Sequence, residues 1–429
     1  MSSEWVPFTD LLSTIVDNRG RTCPVGDSGV PLIATNCIDS NSLYPRYDTT
    51  RFVSDDTYHT WFRGHPKPGD ILFVCKGSPG RTNWVPNPVD FCIAQDMVSV
   101  RADPKKIYPK YLFAALRSSV VQTQIDNMHV GTMIPHFKKG DFGKLNIPVP
   151  SRDEQRVIGD FYFFLSERIA LLRETNATLV AIAQALFKSW FVEFDPVRAK
   201  MEGRSPEGMD EATAALFPDS FEESELGLVP RGWRVSTIGE TVETVGGATP
   251  DTKDPSYWEP AEHAWTTPKD LSGISSPVLL DTERKVSTKG IGKISSGLQP
   301  AGTLLMSSRA PIGYLAIAQK PVAINQGYIA MPPGSKLPPL YMLFWCQQNM
   351  DTIKNHANGS TFMEISKKAF RPLPILVPAV GVLEKFVGAA GALFDRLVEN
   401  ECQAKTLADL RDTLLPRLIS GQLRLPNIC

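Results

Sequence analysis

Apolar residues fall at every seventh position between Glu154 and Trp190: Ile158, Leu165, Leu172, Leu179 and Leu186. Phe161 and Ile182 add a looser second seam on the same face, while Arg156, Asp160, Glu167, Arg173 and Glu174 point elsewhere. Seven-residue spacing keeps one stripe on one side of a helix, so the stretch predicts a single amphipathic helix with coiled-coil character. At about 1.5 Å per residue it extends for roughly 50 Å or more, longer than one compact core requires. The spacing returns from Leu383 to Leu418 as Phe386, Leu393, Asn400, Leu407 and Leu414, with Leu397, Ala404 and Leu410 beside it. A polar Asn in an apolar seam lowers stability but fixes register, which suits two helices that must align one way only. The two segments are therefore expected to pair, antiparallel.

The blocks that precede the two helices match each other in order when the chain is shifted by about 230 residues. Trp5-Val6-Pro7 is answered by Trp233-Arg234-Val235, and Lys67-Pro68-Gly69-Asp70-Ile71-Leu72-Phe73 by Gln299-Pro300-Ala301-Gly302-Thr303-Leu304-Leu305. Each of the latter pair is a turn feeding a short apolar strand. Phe91-Cys92-Ile93-Ala94-Gln95 corresponds to Val322-Ala323-Ile324-Asn325-Gln326. Pro109-Lys110-Tyr111-Leu112 and Pro339-Leu340-Tyr341-Met342 then open a helix of about five turns in each copy, Pro being favourable at a helix start. These helices end at Gly131-Thr132 and Gly359-Ser360-Thr361. Lysine pairs and strands running into Pro148 and Pro378 follow, and then the long helices.

The pattern predicts an α+β chain of two pseudo-twofold-related lobes joined by two long antiparallel coiled-coil helices. The boundaries are 1–150 for the first lobe, 151–193 for the central helix, 194–226 for a linker, 227–378 for the second lobe and 379–429 for the C-terminal helix and tail. The linker is expected to be a Pro-, Gly- and acid-rich return path with one short helical piece near Glu211 to Leu216.

Composition changes this picture in one respect. A hydrophobic content of 42% and a charged content of 21% describe an ordinary globular chain, and the net charge of −1 hides an uneven distribution. Residues 1–150 carry 16 Lys+Arg against 14 Asp+Glu and residues 227–378 carry 15 against 11, whereas residues 193–226 carry 3 against 10. The lobes are thus mildly basic and the linker strongly acidic, which is compatible with nucleic-acid binding by the lobes. The N-terminus has neither a basic start nor an apolar signal core, and no apolar run reaches membrane-spanning length, so a cytoplasmic protein with no membrane partner is expected. The seven Cys are scattered without a C-x-x-C pair, which fits reduced thiols and argues against zinc. His129 and His136 lack metal-ligand spacing.

Catalytic motifs are sparse. No G-x-x-x-x-G-K-[ST] phosphate loop is present. The closest approach to the turn that base methyltransferases stack against a flipped base, Phe194-Asp195-Pro196-Val197, lacks the second Pro and the aromatic. Pro250-Asp251 followed by Glu283-Arg284-Lys285 formally matches a Mg²⁺-nuclease carboxylate pattern, making a nuclease centred on Asp251, Glu283 and Lys285 the alternative from another class. A protein scaffold with degenerate lobes is a third reading.

Candidate DNA contacts are polar residues that the repeat places in corresponding loops. After the hairpin strand come Lys76, Ser78, Arg81, Thr82 and Asn83 in the first lobe, against Ser307, Ser308 and Arg309 in the second. Gln95 corresponds to Gln326, which Asn325 precedes. Gln and Asn can pair bidentately with adenine, and Arg with guanine, in the major groove. Earlier loops set Arg19 and Arg21 against Thr249, Thr252 and Lys253, and a further loop supplies Lys269. Thr132, Ser360 and Thr361 in the glycine turns, with Lys138, Lys139, Lys367 and Lys368, suit phosphates better.

These residues resemble a known family, the specificity (S) subunits of type I restriction-modification systems. Leu226-Gly227-Leu228-Val229-Pro230-Arg231-Gly232-Trp233 is similar to the family's entry into its second target-recognition domain. Gly246-Gly247-Ala248-Thr249-Pro250, Trp265-Thr266-Thr267-Pro268-Lys269-Asp270 and Ser307-Ser308-Arg309-Ala310-Pro311-Ile312-Gly313 are similar to recurring recognition-domain segments. Pro148-Val149-Pro150 with Glu154-Gln155, and Leu414-Leu415-Pro416-Arg417-Leu418-Ile419-Ser420-Gly421, resemble the ends of its spacer-helix regions. The second copy departs from the first in having Leu383-Glu384 in place of Glu154-Gln155. The resemblance implies a non-catalytic subunit that binds a bipartite double-stranded DNA site, with the helices setting the separation. It also implies two modification (methyltransferase) subunits as partners, bringing S-adenosylmethionine, and restriction subunits through them, using ATP and Mg²⁺. This chain itself would bind no cofactor.

Overall fold

The computed structural model describes residues 4–18, 22–47, 50–128, 135–359 and 363–423. It divides into two compact units, residues 1–171 with 403–429, and residues 172–402.

In the first unit, strand Glu4–Pro7 lies antiparallel to Asn146–Val149, pairing Glu4 with Val149 and Pro7 with Asn146. A four-stranded antiparallel sheet runs in the order Leu12–Val16, Met97–Ala102, Ile71–Val74, Thr82–Trp84. A three-stranded sheet places Val30–Ile33 between Phe52–Val53 and Cys92–Ile93, the last of which runs parallel to it. The second unit repeats the design. Arg234–Thr237 pairs with Pro374–Val377 in the same sense. Leu304–Ser307 sits between Leu315–Ala318 and Tyr328–Met331. His263–Thr266 sits between Arg284–Val286 and the parallel Val322–Ile324. Even the tie of helix to strand recurs, since Tyr111 donates to the Pro148 carbonyl at 2.6 Å and Tyr341 to the Leu376 carbonyl at 3.1 Å. The copies diverge at the sheet edges. The counterpart of Leu12–Val16 shrinks to a single Val245–Ala330 bridge, and Val278–Leu279 is added beside Leu315–Ala318.

The helix expected after each lobe's strands is broken in both copies. Pro109–Arg117 stops at Ser118, whose extended backbone (ψ 147°) ends the ladder, and Ser119–Met128 restarts it. The Ser118 hydroxyl donates to the Ala115 carbonyl at 2.6 Å, satisfying an end group of the first helix. In the second unit the same break falls at Asn349, between Pro339–Gln348 and Met350–Asn355.

The heptad segments form two 40-residue helices, Arg152–Phe191 and Val380–Ile419. Within the second unit they lie antiparallel, with Phe187 and Trp190 against Phe386 and Asn176 against Asn400. Within the first unit Ser166 meets Arg411, which continues that sense. The second seam differs from expectation by one residue. Ile182 is 49% exposed and Phe161 half-buried, while Tyr162, Ile169, Asn176, Ala183 and Trp190 are buried. These five lie four residues after the first-seam positions, which is the alternation a two-sided seam requires. Leu410 is likewise 43% exposed, and its neighbour Arg411 takes the buried position. The Arg411 guanidinium reaches both Asp412 carboxylate oxygens and lies 5.4 Å from the Tyr162 ring centre, so the charge enters the seam already partnered.

Asn400 donates to Asn176 Oδ1 at 2.9 Å, and Asn176 donates to the Leu397 carbonyl at 3.3 Å and to Glu401 Oε1 at 2.9 Å. Asn400, expected to fix register, thus meets a polar partner on the central helix.

The linker is not an open return path. It forms helices Asp195–Met201 and Glu211–Ala215 and a hairpin of Phe221–Ser224 with Gly227–Pro230. Val197, Phe217 and Val229 join the core of the second unit with Phe187, Trp190, Trp233 and Phe386. Burying each large side chain of this kind contributes about 1.5–3 kcal/mol, enough to hold the acidic segment against its unit. Among the described residues no single helix is long and apolar enough to cross a membrane.

Candidate nucleic-acid interface

Four segments of the second unit converge at the ends of its strands. The strand Leu304–Ser307 runs into Ser308, whose N–H donates to the Gly327 carbonyl at 2.8 Å. Gln326, beside that glycine, accepts from the Thr249 hydroxyl at 2.6 Å. Asn325 turns back to accept from Gly327 N–H at 2.8 Å, which shapes the loop. Arg309 bridges to Glu364 along the backbone, and their side chains form an ion pair at 3.6 Å. A methyl group at Gly246 would lie 3.3 Å from Lys367 Nζ, so that lysine covers the start of the 246–254 loop. The loop cluster therefore brings Thr249, Arg309, Gln326 and Lys367 together.

The first unit builds the same junction with different side chains. Cys75 N–H donates to the Asp96 carbonyl at 3.0 Å, and Lys76 forms a backbone bridge with His136. Because Ser307 pairs with Tyr328 as Val74 pairs with Met97, Lys76 occupies the position of Arg309. The next residue in each copy has positive φ, Gly77 at 90° and Ala310 at 53°. A non-glycine residue in that region is uncommon, and such strain concentrates where surrounding structure fixes a loop for use. Lys139 pairs with Asp17 at 3.4 Å, in the position that Lys367 takes beside Gly246.

Four candidates do not face outward. Thr82, Asn83, Ser307 and Ser308 are 0–2% exposed. Asn83 donates to the carbonyls of Asp39, Ser42 and Leu43 and accepts from Asp39 N–H at 3.0 Å, so its amide pins the 39–43 loop. Thr82 accepts from Arg117 at 3.2 Å, and Ser307 donates to the Pro311 carbonyl at 2.8 Å. Polar side chains buried this way satisfy loop backbone, where burial without partners would be costly. Asn83→Ala is accordingly expected to lower the unfolding free energy by about 1–3 kcal/mol in urea denaturation while leaving the preferred DNA sequence unchanged.

The remaining candidates are accessible to different degrees. Lys76, Ser78, Lys138, Thr249, Thr252, Lys253, Lys269, Gln326 and Lys368 are exposed, and Arg81, Gln95, Lys139, Arg309, Asn325 and Lys367 half-buried. Arg81 donates to the Thr35 carbonyl at 3.1 Å. Lys269 is paired with Glu283 at 2.8 Å, and that hydrogen bond raises its pKa. Arg19, Arg21, Thr132, Ser360 and Thr361 lie outside the described residues, as does His129. Glu364 and Asp17, the acids that hold Arg309 and Lys139, carry no motif that would mark them in the sequence.

The nuclease pattern does not assemble. Glu283 is engaged by Lys269, and Lys285 by Asp281, which Lys320 also contacts at 3.1 Å. Burial alone would raise the Asp281 pKa, but the hydrogen bonds from Lys285, Thr282 N–H and Lys320 bring it down to about 2. Among the described residues no three His, Cys, Asp or Glu side chains gather into a metal-ligand group.

A duplicated α+β lobe, each copy closing on a cluster of polar loops and continued by a long helix, defines a two-domain DNA-specificity architecture. The family model for the type I restriction modification DNA specificity domain matches residues 32–181 and 230–382, and the chain belongs to this family. The type I restriction enzyme HindI specificity subunit of Haemophilus influenzae is 25% identical over 409 residues, covering 83% of this chain and 87% of that one. The MjaIX specificity subunit of Methanocaldococcus jannaschii is 35% identical over 183 residues, 42% of each chain. The crystal structure of a type I restriction-modification system S subunit from M. genitalium shares the fold, with a TM-score of 0.50 and 18% identity over 100% of this chain and 97% of that one.

Proposed function

We propose that this chain reads a bipartite, asymmetric double-stranded DNA site, one half with each lobe, and performs no chemistry itself. The observation that carries this reading is the repeated loop junction with unlike side chains. The backbone device recurs, with the same strands and the same positive-φ residue after a cation, but Lys76, Ala94 and Asp17 stand where the second lobe has Arg309, Asn325 and Gly246. One scaffold carrying two sets of groups is suited to two different half-sites. Joining the lobes through paired helices makes the second contact intramolecular once the first has formed, so two modest affinities combine into one strong one.

In this reading the partners are two modification subunits, which would bring S-adenosylmethionine to adenine, and through them restriction subunits that use ATP and Mg²⁺. The complex would work in the cytoplasm. Selection of binding sites from a randomised duplex pool by the full chain with its modification subunits is expected to return two unlike half-sites roughly one duplex turn apart. Those half-sites should coincide with methylated adenines in the DNA of cells that hold the system. Selection of a single contiguous site, or of none, overturns the proposal.

A further inference from the structure

Three cations of the second unit form no ion pair with any described residue, and each lies against an aromatic ring. The Arg284 guanidinium sits 3.7 Å from the Trp258 ring centre and 5.1 Å from that of Trp265. Lys289 and Lys293 approach Tyr257 at 5.1 Å and 5.7 Å, and Lys289 also donates to Ser256 Oγ at 2.6 Å. Asp254 is close enough for both lysines to favour its charge, but its carboxylate is already taken by the hydroxyl and N–H of Ser256. A cation resting on a ring keeps its charge while losing some of its freedom, so the three are held in place rather than trailing in solvent.

The rings themselves are fixed to the loop cluster described above. Trp258 Nε1 donates to the Asp251 carbonyl at 3.0 Å and Trp265 Nε1 to the Ala248 carbonyl at 3.3 Å, at either side of Thr249. Ser287 N–H donates to the Tyr257 carbonyl at 2.9 Å, locking the strand that carries Arg284 to the turn that carries the rings. The cations are therefore continuous with the candidate interface. Of the three, only Arg284 has a counterpart in the first unit, Arg51, since Val53 pairs with Val30 as Val286 pairs with His263. There the short helix after Phe52–Val53, Asp55–Thr60, opens with Asp55 and Asp56, where Lys289 stands in the second unit's Thr288–Ile291, and Tyr58 stacks on His65 at 3.9 Å.

We propose that Arg284, Lys289 and Lys293 form a phosphate-binding patch that carries the second lobe's footprint along the DNA backbone beyond the loops facing the bases. The ligand is the backbone of a duplex. A single strand would need open aromatic faces for stacking, and here Arg284 covers Trp258 while Trp265 is only 2% exposed. The consequence is an unequal grip, with the second lobe holding DNA of any sequence more strongly than the first. This inference rests on the reading that the chain binds DNA through its lobes.

The test compares the wild-type full chain with Arg284→Gln/Lys289→Gln/Lys293→Gln on a fluorescent duplex carrying the selected site, titrated with salt. Each cation removed from a phosphate should lower the slope of log K against log[salt] by about 0.9, so the triple variant should show a slope smaller by roughly 2.7. Its affinity at physiological salt should drop at least about tenfold, with the selected half-sites unchanged. Phosphate-ethylation interference flanking the second half-site should disappear. The Lys289→Gln/Lys293→Gln pair, confined to exposed side chains, should give about two thirds of the change in slope and guards against misfolding of the triple variant. Wild-type slope and interference in either folded variant overturn the patch. Wild-type protein that shows no sequence preference instead overturns the reading beneath it, and the two failures are read from different samples.

Discussion

Replacing Gly247 with alanine is expected to abolish specific binding by the second lobe, whereas the same change at Gly246 should cost little. The difference lies in what the added methyl would meet. At Gly247 a Cβ would fall 1.8 Å from the Ile324 carbonyl oxygen, 2.3 Å from its carbon and 2.6 Å from the Asn325 oxygen. All three are backbone atoms of the Val322–Ile324 strand and the turn that follows it, and they cannot step aside without carrying Gln326 with them. Ala248 N–H donates to that same Ile324 oxygen at 3.0 Å, so relief of the clash also opens this bond and parts Thr249 from Gln326. Overpacking of this kind costs about 1–3 kcal/mol, and more where the obstacle is backbone. At Gly246 the nearest atoms are Lys367 Nζ at 3.3 Å and Cε at 3.4 Å, the far end of a flexible side chain. Thermal unfolding and duplex binding of the two variants should therefore separate. Equal behaviour would mean that the close approach at Gly247 does not position the recognition loops.

The internal repeat is legible along the chain because it rests on residues whose roles are local. Proline-entered helices, turn glycines and short apolar strands do the same thing wherever they occur, and the matched pair Tyr111 and Tyr341 make the same hydrogen bond. The second helical seam is displaced because an apolar rule chooses Phe161, Ile182 and Leu410 over Tyr162, Ala183 and Arg411, and passes over Asn176 altogether. Yet those polar residues are the buried ones, each with a partner that only folding supplies. The same blindness affects the interface. Thr82, Asn83, Ser307 and Ser308 have the composition of a binding loop, but their partners are the Arg117 guanidinium and backbone groups distant in sequence or around a turn. Arg284, Lys289 and Lys293 escape a reading of the sequence for the opposite reason. They gain meaning from the rings of Tyr257 and Trp258, some thirty residues earlier in the chain.

Removing one heptad from each long helix, Glu167–Arg173 and Gln403–Asp409, is expected to shorten the preferred spacing between half-sites without changing the bases in either. Both windows lie between the Asn176–Asn400 contact and the Ser166–Arg411 contact, so the polar groups that fix register survive on either side. A heptad restores the same helical face, so the seam stays apolar while the helix shortens by about 10 Å. That length corresponds to about three base pairs at roughly 3.4 Å each. Over those base pairs the duplex turns by nearly a third of a revolution. The lobes keep their orientation about the helix pair, so the shortened site must be over- or under-twisted to meet both. The best new site should therefore be shorter and bound more weakly than the wild-type site. Selection from a pool with variable spacing measures both effects at once. Retention of the original spacing with full affinity would show that the helices do not set the distance between the half-sites.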